Sequence, residues 1–146
     1  MDTINHLTET IIGAAIEVHR EKGPGLLEST YEACLCHELE LRKFHVQRQV
    51  AVRLLYKGIT LDTAFRADLI VENTILIELK AIETILPVHK AQVLSYLRET
   101  GLPVGLLINF HVPRLADGVS RLINNRPCSV RSAPSALQPL PGSPQP

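Results

Sequence analysis

Asp68, Glu78 and Lys80 are the residues of this chain whose types and spacing best suit chemistry. They lie in the run Phe65-Arg66-Ala67-Asp68-Leu69-Ile70-Val71, a Glu72-Asn73 break, and Thr74-Ile75-Leu76-Ile77-Glu78-Leu79-Lys80. Side chains on a strand alternate between faces, so Glu78 and Lys80 share one side of the sheet, and a hairpin through Glu72-Asn73 brings Asp68 alongside them. Both strands are otherwise rich in Ile, Leu and Val, where charges are seldom set unless paired, metal-bound or catalytic. Two carboxylates and one ammonium together suit metal-assisted hydrolysis of a phosphodiester. Hard carboxylate oxygens hold Mg2+ or Mn2+, and the ion offsets charge developing on a phosphorane-like transition state. Lys80 could orient or deprotonate the attacking water, or act as a fixed cation. The same spacing also fits an ordinary ion pair on a solvent-facing strand, with Asp68 as a turn residue at a strand end.

The elements that must position these residues are legible as changes of apolar period. Ile4, Leu7, Ile11, Ile12, Ala15 and Val18 recur at three and four, which predicts an amphipathic helix ended by Gly23-Pro24-Gly25. A second helical pattern runs through Tyr31, Cys34, Leu35, Leu39 and Leu41 to about Lys43, with Glu28 at its first turn. Val46, Val50, Val52 and Leu54 alternate with smaller or polar residues, a strand pattern that ends at a Lys57-Gly58 turn. Two further strands are expected over Ile59 to Val71 and Thr74 to Lys80, the latter central in the sheet because of its dense hydrophobicity. Pro87 opens a helix that stops at Gly101, and Val104 to Ile108 reads as a buried strand parallel to its neighbour. A terminal helix is expected from Pro113 to Asn124.

Composition narrows the function classes. The chain has 146 residues and 45% hydrophobic content, which suits one globular domain, expected over residues 1–125. Residues 126–146 hold six of the ten prolines with Ser, Gly and Gln, and are expected to form a disordered Pro/Ser-rich tail. Fifteen basic residues balance fifteen acidic ones; the tail contains Arg126 and Arg131 but no acid, so the domain carries thirteen against fifteen. A strong nonspecific nucleic-acid binder is usually basic, so any binding surface must be a local patch. Arg42, Lys43, Arg48, Arg53 and Lys57 form one candidate strip, against the plainer reading of a solvated surface. No apolar run approaches the roughly 20 residues that span a bilayer, and the start of the chain lacks a secretory pattern. Three cysteines, two separated by one residue, suit neither a disulfide framework nor a zinc site. A cytoplasmic protein without a membrane partner is expected.

Asp68 followed by Glu78-Leu79-Lys80, on adjoining strands of a helix, three-strand, helix, strand core, resembles the PD-(D/E)XK nuclease superfamily. More narrowly, Gly25-Leu26-Leu27-Glu28-Ser29-Thr30-Tyr31 is similar to the GxxExxY signature of a family of small prokaryotic proteins placed in that superfamily. Ile12-Gly13-Ala14-Ala15-Ile16-Glu17-Val18-His19, Phe65 to Leu69, Pro87-Val88-His89-Lys90-Ala91-Gln92 and Leu107-Ile108-Asn109-Phe110 carry the same resemblance, which covers about residues 5 to 125. The proline that usually precedes the first aspartate is Ala67 here.

The resemblance implies a three-layer α/β/α, restriction-endonuclease-like core with a mixed central sheet in α-α-β-β-β-α-β-α order. It implies that Asp68 and Glu78 ligate Mg2+ (or Mn2+), that Glu28 supports the metal or its water, and that Lys80 assists the attacking water. Gln92 matches a polar position that helps hold Lys80 or the phosphate. The expected function is a metal-dependent nuclease acting on DNA in preference to RNA, with a homodimer or protein partner adding grip. The alternative is a noncatalytic adaptor of the same fold that binds protein or nucleic acid. His19 and His89 either line the cleft or bond to backbone, the second being favoured, and Tyr31 is expected to pack in the core with its hydroxyl on one partner.

Overall fold

Apolar residues on two opposite faces of one sheet decide this architecture. The computed structural model describes residues 2–62, 65–125 and 137–138. Helix α1 spans Asp2–Lys22 and α2 spans Glu28–Leu41. Strand β1 (Val46–Val52) is followed by a short hairpin of β2 (Leu54–Tyr56) and β3 (Ile59–Leu61), then by β4 (Arg66–Val71) and β5 (Ile75–Lys80). Helix α3 (Pro87–Thr100) ends on Gly101 in the left-handed conformation and leads to β6 (Val104–Asn109). A 3-10 turn at Leu115–Gly118 introduces β7 (Val119–Ile123), and Leu137–Gln138 form the short β8.

The sheet order is β7-β6-β5-β4-β1-β8, so β5 is central as its sequence predicts. Strands β5 and β6 are parallel, and the remaining neighbours are antiparallel. On one face, Ile11, Ala14, Ala15 and Val18 of α1 and Tyr31, Leu35 and Leu39 of α2 pack against Leu69, Val71, Ile75, Ile77, Leu79, Leu106 and Ile108. On the other, Val93, Tyr96 and Leu97 of α3 pack against Ile70, Leu76 and Leu107. Each such Leu, Ile or Val contributes roughly 1.5–3 kcal/mol by leaving water, so burial on both faces holds the expected three layers together.

Two expectations are corrected. The stretch from Pro113 to Asn124 is not a helix: after the 3-10 turn it becomes an edge strand, with Ile108 opposite Val119 and Val104 opposite Ile123. Its apolar spacing fits a helix locally, but β6 offers an unpaired row of backbone groups, and that tertiary pairing outweighs the local pattern. Gly118 supports the strand outcome, because a Cβ there would run into the Asn109 carbonyl oxygen. The second correction is that Ile59 to Val71 is two strands, not one. The β2–β3 hairpin, closed by left-handed Lys57 and Gly58, forms a separate two-stranded sheet before β4 joins the main one. Most of the Pro/Ser-rich segment from Arg126 lies outside the described residues; within it, Leu137 and Gln138 pair with Val52 and Ala51. Among the described residues, no helix is long and apolar enough to cross a membrane.

The loop before α2 is built around one side chain. Tyr31 is fully buried, donates its hydroxyl to the Gly23 carbonyl at 2.5 Å and accepts from the Leu26 N–H at 3.1 Å. Gly25 between them has φ 106, which L side chains rarely adopt. Tyr31→Phe keeps the ring and strands both backbone groups, so it is expected to cost about 1–3 kcal/mol and lower Tm by several degrees. Thermal melts of the two proteins check this, and equal Tm values would show that the hydroxyl does not clamp the loop.

Candidate active site

The hairpin between β4 and β5 turns through Glu72 (φ 53) and Asn73 (φ 49), with the Thr74 N–H on the Val71 carbonyl at 3.0 Å. The two left-handed residues give the turn type that matches strand twist. Its register pairs Val71 with Ile75, Ile70 with Leu76 and Leu69 with Ile77, which would set Asp68 against Glu78. There the ladder stops. Side chains take over from it: the Glu78 Oε1 accepts the Asp68 N–H at 3.1 Å, and the Asp68 Oδ2 accepts the Leu79 N–H at 2.8 Å. Buried backbone donors need partners, and here the two carboxylates are those partners.

Strand alternation also breaks at this level. On β4, Leu69 packs with the α1/α2 core while Ala67, two residues away, packs with the α3 core. Opposite it on β1, Val46 packs on the α1/α2 side, and Val50 and Val52 on the α3 side. Between them lies Gln49 with φ 50, the one residue inside a described strand with a left-handed backbone. That conformation costs roughly 1 kcal/mol or more for a residue with a Cβ. It turns the strand over and brings the Gln49 amide within 3.3 Å of Asp68 Oδ1.

Electrostatics follow from this burial. Glu78 is 6% exposed, and desolvation followed by the Asp68 charge pushes its carboxyl up to about 8, against the pull of the Asp68 N–H and Lys80. Asp68 is also raised by burial, offset by the Leu79 N–H, Gln49 and Lys80. Lys80 is half-buried and makes no ion pair among the described residues. The ordinary surface pair of Glu78 with Lys80 is therefore not what forms. Two hard carboxylates short of positive charge are a donor set that suits a divalent cation. Glu28, the first residue of α2, is exposed and reaches Glu78 only as a weak like charge. Among the described residues no three His, Cys, Asp or Glu side chains gather as a metal cage, so the acids form a pair with Glu28 standing off.

Gln92 lies on α3, where it hydrogen-bonds Tyr96 one turn on. Tyr96 is 5% exposed and meets Phe65 edge-on at 5.9 Å. Its hydroxyl is pushed up to about 12, first by burial and then by the charges of Glu78 and Asp68. An open groove of about 470 Å3 along Val88, His89, Ala91, Gln92 and Ser95 meets a second of about 260 Å3 that passes Phe65 and Tyr96. Tyr96, Glu32 and Gln49 were not singled out by sequence reasoning. The i,i+4 spacing of Gln92 to Tyr96 and of Glu28 to Glu32 was the available signal for two of them.

The remaining candidates are structural. His19 places Nε2 2.8 Å from the Val112 carbonyl, and His89 Nδ1 accepts the Leu86 N–H at 2.8 Å, so both histidines bond backbone. Burial pushes the Cys36 thiol up to about 11, the wrong direction for a metal ligand. Cys128 lies outside the described residues. Arg42, Arg48 and Arg53 are paired with Glu38, Glu32 and Asp62, which leaves little of the basic strip for phosphate.

An α/β/α domain whose central strands part around a buried and a half-buried carboxylate, with a lysine two residues on, has the arrangement of a nuclease-like class of proteins. The family model of the PD-(D/E)XK nuclease superfamily matches residues 5–122, and the chain belongs to that superfamily. No curated protein and no solved structure matches it.

Glu78 gives a signed pH dependence. Its ordinary value of 4.5 rises to about 8 on folding, so the folded state holds the proton through that interval and stability falls as pH rises across it. Without divalent ions, Tm is expected to drop by about 5 °C or more between about pH 5 and pH 8. Glu78→Gln, neutral throughout, flattens that slope. Calorimetric scans of both proteins in chelator check this, and parallel slopes would refute the assignment to Glu78.

Proposed function

We propose that this protein is a Mg2+- or Mn2+-dependent nuclease that hydrolyses phosphodiester bonds of DNA in preference to RNA. The observation that carries the reading is the pair of carboxylates, Glu78 buried and Asp68 half-buried, that accept backbone N–H bonds where β4 and β5 part, with Lys80 two residues after Glu78 and in no ion pair among the described residues. Asp68 and Glu78 would hold the ion. When bound, it supplies Lewis-acid stabilisation of charge on the phosphoryl oxygens. Lys80 would orient the attacking water, or take its proton, and its main chain is tied down by the bond from the Phe110 N–H to the Lys80 carbonyl at 2.9 Å. Gln92 and Tyr96 line a groove on the α3 side, where Tyr96 lies within the field of the Glu78 and Asp68 charges, and Glu28 adds acidic character at the α2 edge. The Gly25, Glu28 and Tyr31 pattern supports the narrower GxxExxY assignment, since Gly25 supplies the loop's left-handed φ and Tyr31 its hydroxyl clamp, with Glu28 at the first residue of α2. A domain with thirteen basic and fifteen acidic residues holds phosphate weakly by itself, so a homodimer or protein partner is expected to add affinity.

Purified protein with Mn2+ is expected to cleave one or more of linear, circular and single-stranded DNA and RNA. Lys80→Ala is expected to lower the rate by about 10²–10⁴-fold while keeping Mn2+ binding, whereas Glu78→Ala loses both. Equal cleavage by parent and Glu78→Ala exposes a contaminant. No cleavage by the parent, together with no Mn2+-dependent rise in Tm, favours the noncatalytic adaptor.

A further inference from the structure

Glu32 lies one turn after Glu28 on α2 and is a buried acid, 7% exposed, that the proposed reaction does not use. Its Oε2 accepts from Arg48 Nε at 3.2 Å and Nη2 at 3.0 Å, and its Oε1 accepts from Gln49 Nε2 at 2.6 Å. The same Gln49 nitrogen reaches Asp68 Oδ1 at 3.3 Å. An amide NH2 carries two hydrogens, and both neighbours are carboxylates that only accept, so the nitrogen end must face them. One amide therefore bridges a buried, neutralised acid to the acid of the site.

We propose that Gln49, held by Glu32, is a positioning residue that fixes the rotation of Asp68 so that its free lone pairs face a divalent ion. This rests on the metal-dependent reading above. Two observations point the same way. Gln49 adopts its left-handed backbone in mid-strand rather than in a turn, and strain of that kind persists where surrounding structure enforces it. Asp68 is gripped at both oxygens, by the Leu79 N–H on Oδ2 and by Gln49 on Oδ1, which uses one acceptor site on each and leaves the rest for a cation. A neutral amide suits this role, because an Arg or Lys in the same place would compete with the ion for the carboxylate. Arg48 balances Glu32, so the support adds no net repulsion to Asp68. Groups that hold metal ligands in place commonly matter by 10–100-fold in metal affinity.

The test is Mn2+ binding by isothermal titration calorimetry on the whole chain, with Tm measured in chelator alongside. Gln49→Asn keeps a residue that tolerates left-handed φ but is a methylene too short to span Glu32 and Asp68. Gln47→Asn, the same change two residues earlier on the strand and outside the bridge, is the control. Gln49→Asn is expected to weaken Mn2+ binding by about 10–100-fold at parental Tm, while Gln47→Asn binds as the parent does. Parental affinity in Gln49→Asn, or a loss that merely tracks a fallen Tm, overturns the inference. Should Gln49→Asn fail to fold, Gln49→Gly, at ease at this φ, carries the same comparison. No binding by the parent overturns the metal reading and this inference with it, whereas parental affinity in the variant overturns this inference alone.

Discussion

Where β4 and β5 stop pairing, two backbone N–H groups, those of half-buried Asp68 and buried Leu79, still need acceptors, and much that is distinctive about this molecule follows from how they find them. A strand ladder would have satisfied Asp68 and Leu79 without any side chain. Instead the Glu78 carboxylate takes the first donor and the Asp68 carboxylate the second. Each acid thus fills a structural vacancy and is held there by it. An unmade hydrogen bond at a buried group costs about 1–3 kcal/mol, so the acids are retained against the burial that raises their pKa. The opening between the strands and the charge inside it have one cause.

That arrangement needs both faces of the sheet. The α1/α2 side contributes rigid polar support, from Glu32 through Gln49 to Asp68, and an exposed Glu28 at the rim. The α3 side contributes Gln92 and Tyr96, which border the open grooves. The turnover of β1 and β4 at Gln49 and Asp68 lets both layers reach the same pair of acids. Had alternation continued unbroken, Ala67 and Leu69 would have faced the same layer.

Much of this was legible in the sequence because it depends on local pattern. The Glu72-Asn73 turn fixes the β4–β5 register, and that register alone sets Asp68 against Glu78. The central place of β5, the left-handed stop at Gly101 and the parallel β6 follow from apolar density and turn chemistry. What could not be read depends on partners distant in the chain. Val119 to Ile123 form a strand because β6 presents an open edge, which no helical spacing reveals. Gln49 looks like any polar residue of an alternating strand; only its φ and the converging Glu32 and Asp68 distinguish it. Glu28 carried the more visible motif position, yet it is Glu32, one turn further, that the fold buries.

The motif around Gly25 and the Glu78-Leu79-Lys80 strand are far apart in sequence, and the structure joins them through one aromatic stack. Tyr31, whose hydroxyl pins the Gly23 to Leu26 loop, lies with its ring 4.3 Å from that of Phe110, nearly parallel. Phe110 in turn donates its N–H to the Lys80 carbonyl, and Asn109 beside it bonds both the N–H and the carbonyl of Ile82, just past the end of β5. Both aromatic rings are fully buried. The entry to α2, with Glu28, and the end of β5, with Lys80, are therefore anchored to the same piece of core. A shift at either lip of the site must disturb that stack, so the acids and the lysine keep their mutual placement without any direct bond between Glu28 and Lys80.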